Sequence, residues 1–212
     1  DESFNLKKYS YNKFSQNGED GIIQEITNRL DLKNSLENWC VEFGAWDGIH
    51  LSNTFNLVLK GWNAVYIEGD KFKFKDLLNT AKKYRKIIPI NAFVAKEKSS
   101  KFSLDNLLDN TKIPKDFDLL SIDIDSFDLE IWESLKNFKP KIVIIEINSS
   151  YPPGIIKWHS NKYKNSSGNS FSATLKVAKK KGYELVCHTG NMIFINSNYI
   201  DKLGVPEKLL EY

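Results

Sequence analysis

Compact apolar runs alternate along this chain with stretches in which apolar residues return at helical spacing. Residues 40–43, 64–67, 87–95, 117–124 and 141–148 are the compact runs, rich in Val, Ile, Leu and Phe, and they predict buried strands. Residues 53–60, 77–84, 103–108 and 129–135 lie between them and predict helices. This alternation predicts an α/β fold with a largely parallel sheet. Near the start, the polar segment 15–21 (SQNGEDG) leads into a periodic run over 22–30. A helix is expected there, with Ser15 as N-cap and Gln16 and Glu19 in the first turn. The same density of polar groups fits a lid in which Gln16, Glu19 and Asp20 lie over a ligand mouth. Residues 170–181 predict an amphipathic helix closed by Gly182. Residues 183–187 and 192–195 predict a last pair of strands, a hairpin at the sheet edge joined by His188-Thr189-Gly190-Asn191.

Chemistry-bearing side chains gather at the expected carboxyl ends of the strands. Cys40-Val41-Glu42-Phe43 runs straight into Gly44-Ala45-Trp46-Asp47-Gly48 and then a helix, and the two glycines let backbone approach a ligand. The second strand ends on Glu68, where a carboxylate can accept hydrogen bonds from both vicinal hydroxyls of a ribose. Asn91 and Phe93 leave the third strand and would offer a base a polar edge and an apolar face, unless they only finish the strand. Asp123 and Asp125 share one side of the fourth strand if it runs that far, and Glu146 and Asn148 share a face of the fifth. Ligands of open parallel sheets bind outside carboxyl strand ends, so these residues together predict a cleft. Like carboxylates repel one another unless a cation or a donor compensates, and Asp123, Asp125 and Glu146 would suit magnesium or manganese. In the alternative, Asp125 and Asp128 cap the helix over 129–135 and leave Asp123 alone in the site.

From residue 149 to 168 the pattern breaks at Pro152-Pro153-Gly154, and Tyr151, Lys157, Trp158, His159, Tyr163 and Lys164 crowd a Ser- and Asn-rich stretch. A loop of this length reads as a substrate loop, with Tyr151, Lys157 and Lys164 as acceptor contacts. Lys157, His159 and Lys164 suit an acidic group such as a phosphate, and His159 and His188 are the candidate bases for an alcohol acceptor. At 212 residues and 41% hydrophobic, the chain is expected to form one domain over 1–212, with an N-terminal lid over about 1–30. Thirty basic against 27 acidic residues give a net charge of only +3, and the lysines are scattered, so the expected partner is a small molecule and not nucleic acid. No apolar run approaches a membrane span. Cys40 and Cys187 lack CxxC spacing and read as packed thiols in a reducing compartment, which makes the cytoplasm the expected location.

Six ordered pieces, CVEFGAWDGIHLSNT, YIEGD, INAFVA, DLLSIDID, VIIEIN and GYELVCHTGNMIFIN, resemble the class I S-adenosylmethionine-dependent methyltransferases of the FkbM-like group. The similarity runs from SQNGEDG almost to the C-terminus. It implies a Rossmann-like sheet of seven mostly parallel strands, helices on both faces, an antiparallel last strand, and S-adenosylmethionine as cofactor. Glu42, Gly44, Ala45 and Asp47 would line the methionine and sulfonium side, with Gln16 in the lid above. Glu68 would bind ribose, Asn91 and Ala92 would sit near adenine, and Asp123 would mark the floor between cofactor and acceptor. Where many FkbM-like sequences carry Asp-x-Glu-Gly, this chain has Asp123-Ile124-Asp125-Ser126. Its acids look more like those of metal-dependent O-methyltransferases. The activity implied is O-methylation of a small polar or anionic acceptor. A sugar or phosphoramidate oxygen in bacterial capsule modification is consistent with the Lys-, Asn- and Ile-rich composition. Two rivals stand beside it. A nicotinamide-dependent oxidoreductase would use a similar strand and turn, although the spacing after Phe43 does not give G-x-G-x-x-G. A non-catalytic nucleotide-binding module would have no use for so many acids at strand ends.

Overall fold

The computed structural model describes residues 5–162 and 168–204. Seven strands form one sheet: β1 (Trp39–Phe43), β2 (Asn63–Glu68), β3 (Ile87–Asn91), β4 (Leu119–Ile122), β5 (Ile142–Glu146), β6 (Tyr183–His188) and β7 (Asn191–Asn196). Their order is β3-β2-β1-β4-β5-β7-β6. β1 to β5 pair in parallel, and β7 inserts antiparallel between β5 and β6. The Rossmann-like architecture expected above is therefore present, with the strand order reversing between β1 and β4. In open sheets of this kind such a reversal leaves a crevice outside the carboxyl strand ends.

Seven helices surround the sheet among the described residues: α1 (Glu19–Arg29), α2 (Phe55–Leu59), α3 (Lys71–Lys83), α4 (Leu104–Asp109), α5 (Asp128–Ser134), α6 (Phe171–Lys180) and α7 (Ile200–Leu203). Alternate strand residues enter two different cores. Val41, Val65, Leu120 and Val143 pack with Leu104, Trp132 and Val177 on one face. Cys40, Ala64, Leu119 and Ile144 pack with Ile22, Phe55 and Leu77 on the other. With both faces covered, a strand gains nothing from polar alternation, which is why these segments read as unbroken apolar runs. No helix among the described residues is long and apolar enough to cross a membrane.

Some boundaries differ from the sequence expectation, each for a local reason. The helix expected over 77–84 begins at Lys71, because the Asp70 carboxylate accepts hydrogen bonds from the Phe72 and Lys73 amides at 2.8 and 3.0 Å. The alternating Lys71-Phe72-Lys73-Phe74-Lys75 conceals that turn from a search for helical spacing. Helix α1 starts after Gly18, which takes a left-handed conformation. Ser15 still serves it, since its hydroxyl accepts from the Asp20 amide at 3.0 Å. Strand β4 stops at Ile122, so Asp123 and Asp125 stand on the loop that follows it.

Candidate active site

Across the crevice lies a cavity of about 620 Å³, walled by the ends of β1, β2 and β4 and by the chain leaving β3. The turn after β1 crosses its floor at very short range. A Cβ on Gly44 would lie 2.3 Å from the Asp123 carbonyl oxygen, and its φ of 71° is left-handed, so only glycine fits. Two acids fix the turn from either side. Glu68, buried at the tip of β2, accepts from the amides of Trp46 and Asp70, each at 2.8 Å. Each carboxylate oxygen takes one amide and keeps a lone pair, and the residue stays on the cavity wall. Glu42 accepts from the hydroxyls of Ser52 and Thr54 at 2.7 and 3.1 Å and from the Asn53 amide at 3.0 Å. Burial pushes its carboxyl up to about 7, against those three hydrogen bonds, which pull it down.

Gly44, Ala45 and Ala92 line the cavity with Glu42 and Glu68. Three other residues expected at the cofactor do not. The Asp47 carboxylate turns back to accept from the amides of Ile49 and His50, both at 2.8 Å, as local turn chemistry favours. Asn91 is solvent-facing and donates to the carbonyls of Glu68 and Gly69, at 2.8 and 3.3 Å, so it fastens the end of β2 instead of meeting a ligand. Gln16 is exposed and away from the cavity wall, with its carbonyl holding Asn12. Its neighbours in the expected lid are committed too. Asp20 accepts from the amides of Lys13, Phe14 and Ser15 at 2.7–2.9 Å. Glu19 accepts from Thr189 and Asn191, both at 3.0 Å, tying α1 to the hairpin of β6 and β7.

The far wall carries different chemistry at Asp123 and Asp125, and it continues into Glu146, which lines only a smaller cavity beside the first. Asp123, Asp125 and Glu146 bring carboxylate oxygens within 4.8 Å of one another, with both aspartates exposed and the glutamate half-buried. Desolvation, followed by hydrogen bonds to Asp125 and Asp123, pushes Glu146 up to about 9. Desolvation likewise raises Asp123. The sheet does not create this cluster alone. Asp128 accepts from the amides of Ile124 and Ser126, each at 2.8 Å, and curls the loop until Asp125 faces Glu146 with φ at +56°. Asp128 thus shapes the loop, and Asp125 belongs to the acid cluster instead of capping α5. Asp125 and Glu146 also line an adjoining cavity of about 230 Å³ with Asn148 and Ser149.

His159 and His188, with Tyr151 and Lys157 of the loop after β5, line neither of these cavities. His159 Nδ1 accepts from the Gly168 amide at 3.1 Å, so Nε2 carries the proton and faces Asn161 Oδ1 at 2.9 Å. Its ring packs edge-on against Phe127, which does line the larger cavity. With both nitrogens engaged, His159 holds the loop and is not a free base. His188 ends β6 beside Phe171, and burial, then nearby Lys7, lowers its pKa. Tyr151 and Lys157 are half-buried on the same loop, and Lys157 is held through its amide by the Ser170 hydroxyl at 3.0 Å. Lys164 lies outside the described residues.

Several cavity residues carried no signal in the sequence. Trp46, His50, Leu51, Lys73, Val94 and Phe127 line the wall from loops and from α3, where no periodicity marks a binding position. Phe93, 77% exposed, covers Gly69 so closely that a Cβ there would come within 2.2 Å of its ring.

No protein-family model matches the chain, and no curated protein sequence matches it. Solved structures do resemble it. The CurJ carbon methyltransferase is 10% identical with a TM-score of 0.56, covering 92% of this chain and 57% of its own. The bifunctional kinase-methyltransferase WbdD is 13% identical with a TM-score of 0.52, covering 82% of this chain and 38% of its own. The chain therefore spans between about two fifths and three fifths of these proteins. What it shares with them is the fold of the methyltransferases.

Proposed function

We propose that the chain is an S-adenosylmethionine-dependent O-methyltransferase of the FkbM-like group, acting on a small polar acceptor. The observation that carries this reading is Glu68: a carboxylate held rigid by two backbone amides, with a free lone pair on each oxygen, on the wall of a nucleoside-sized cavity. Vicinal ribose hydroxyls would complete it. Gly44 and Ala45 would lie under the methionine half, and Ala92 and Phe93 beside the base.

The cofactor, when bound, supplies a methyl group already activated on a sulfonium centre. The residues of the chain have chiefly to align the acceptor oxygen with that methyl carbon and keep water away. The acceptor oxygen would gain the methyl as the thioether leaves with the electron pair of the carbon–sulfur bond, with Gly44 and Ala45 holding the methionine half in place. For an alcohol, Asp123 on the floor of the cavity would take the hydroxyl proton, a task the engaged His159 is not placed to perform. An anionic acceptor would meet the carboxylates of Asp123 and Asp125 and be repelled. Asp123, Asp125 and Glu146 offer the oxygen ligands that magnesium or manganese favours, and such an ion would reverse the local sign. An anionic acceptor and a bound cation therefore stand or fall together. A sugar or phosphoramidate oxygen in capsule modification rests on resemblance and composition, and is tested by offering those acceptors with and without chelator.

Calorimetric titration with S-adenosylhomocysteine and with NAD decides the first step. Binding of the thioether with NAD silent is expected, and binding of NAD alone, or of neither, ends this reading.

A further inference from the structure

The turn over the cavity has three left-handed residues in five: Gly44 at φ 71°, Trp46 at 48° and Gly48 at 78°. The outer two are glycines for steric reasons, since a Cβ on either would collide with the Asp123 carbonyl or the Tyr66 ring. The middle one is the bulkiest residue there is. A non-glycine residue holds such a backbone only when its surroundings impose it. Here the Trp46 amide donates to Glu68 at 2.8 Å and the indole N–H to Asp76 of α3 at 3.3 Å. The ring also meets His50 edge-on at 5.3 Å, with Lys73 Nζ 5.2 Å from its centre. Trp46, Glu68, His50 and Lys73 all line the cavity, and Trp46 is 42% exposed in this structure. A strained backbone thus holds a partly open aromatic face beside the carboxylate assigned to ribose.

In dinucleotide-binding turns the middle position is a glycine, so that the pyrophosphate can lie against bare backbone. We propose that Trp46 is the specificity residue of this turn: its indole walls the ribose side of a nucleoside thioether and denies the turn to a diphosphate-bridged dinucleotide. This inference rests on reading the cavity as the S-adenosylmethionine site. It explains why a strained tryptophan stands where glycine would be at ease.

The test is titration of wild type, Trp46→Asn and Trp46→Phe with S-adenosylhomocysteine and with NAD, together with the unfolding midpoint of each ligand-free protein. Asparagine tolerates the left-handed backbone, so the turn survives while the indole is lost. Trp46→Asn is expected to lower thioether affinity about tenfold and to narrow its preference over NAD by at least about that factor, with an unchanged or higher midpoint. Trp46→Phe, which keeps an aromatic wall, is expected within about threefold of wild type. Unchanged affinity and preference in Trp46→Asn overturns the proposal. So does an equal loss in both variants with a matching fall in midpoint, which marks Trp46 as a structural prop. Wild type that fails to bind the thioether overturns the functional reading itself.

Discussion

The two halves of the cavity use acids in opposite ways. At the ends of β1 and β2, Glu42 and Glu68 between them accept five hydrogen bonds, four from the turn and loop that follow β1 and one from the Asp70 amide just past β2. They are satisfied before any ligand arrives, so that wall is ready-made. At the ends of β4 and β5, Asp123, Asp125 and Glu146 have chiefly one another, and a carboxylate can donate only if it carries a proton. That wall is incomplete without a proton, a cation or a donor. One half of the site is organised by hydrogen bonds from backbone and hydroxyls, and the other by the proton on Glu146 or by whatever replaces it.

Variants on the ready-made half should have the largest effects and act through shape. Gly44→Ala places a methyl 2.3 Å from the Asp123 carbonyl at a left-handed position. It should cost about 3 kcal/mol of stability, read as a lowered denaturation midpoint, and should abolish thioether binding. Glu68→Gln comes next. The amide keeps the size, but its NH2 can accept neither from one of the two backbone amides nor from a ribose hydroxyl, so thioether affinity should fall by about 2 kcal/mol, roughly thirtyfold. Full affinity in Glu68→Gln would mean that the ribose lies elsewhere.

The same contrast separates what the sequence reveals from what it conceals. Glu68, Glu146 and the strands that carry them are legible because a short apolar run ends on an acid, and such a run has few alternatives in a sheet buried on both faces. Glu42, Gly44 and Ala45 follow from one uninterrupted strand and turn. Asn91 and Asp47 misled because Asn and Asp are as often consumed by neighbouring backbone as offered to ligands, and nothing in the one-dimensional pattern separates the two uses. The meeting of Asp125 with Glu146 was legible only as a possibility of spacing. The strand stops at Ile122, and it is Asp128, three residues past Asp125, that bends the loop to complete the cluster. Trp46 and Lys73 reach the wall from a turn and a helix face, where position depends on tertiary packing.

Variants and conditions acting on the incomplete half should have smaller effects and act through charge. Glu146 is raised from 4.5 to about 9 and Glu42 from 4.5 to about 7. An acid whose pKa is higher folded than unfolded binds more protons folded, so its contribution is full below about pH 4.5 and is lost as pH rises through the folded value. The cation-free protein should therefore lose thermal stability progressively from about pH 5 to 9, and Glu146→Gln should flatten the upper part of that curve. Manganese at tenfold its dissociation constant should restore about 1.4 kcal/mol at pH 8, by preferential binding to the folded state. A melting curve indifferent to both pH and manganese would leave the two halves of the cavity alike.

The smallest effect isolates one side chain of the cluster. Asp125→Asn keeps the size and the left-handed tolerance of the residue at φ +56° and removes only its charge. In the cation-free protein this relieves repulsion from Asp123 and Glu146, so the variant should be more stable than wild type by about 0.5 kcal/mol at pH 9. At pH 5, where Glu146 is protonated and can donate to Asp125, the gain should vanish or change sign. With manganese present the order should reverse at pH 8, because wild type gains a ligand that asparagine replaces poorly. A variant more stable than wild type under all three conditions would show that Asp125 sits at this bend for reasons unrelated to a cation.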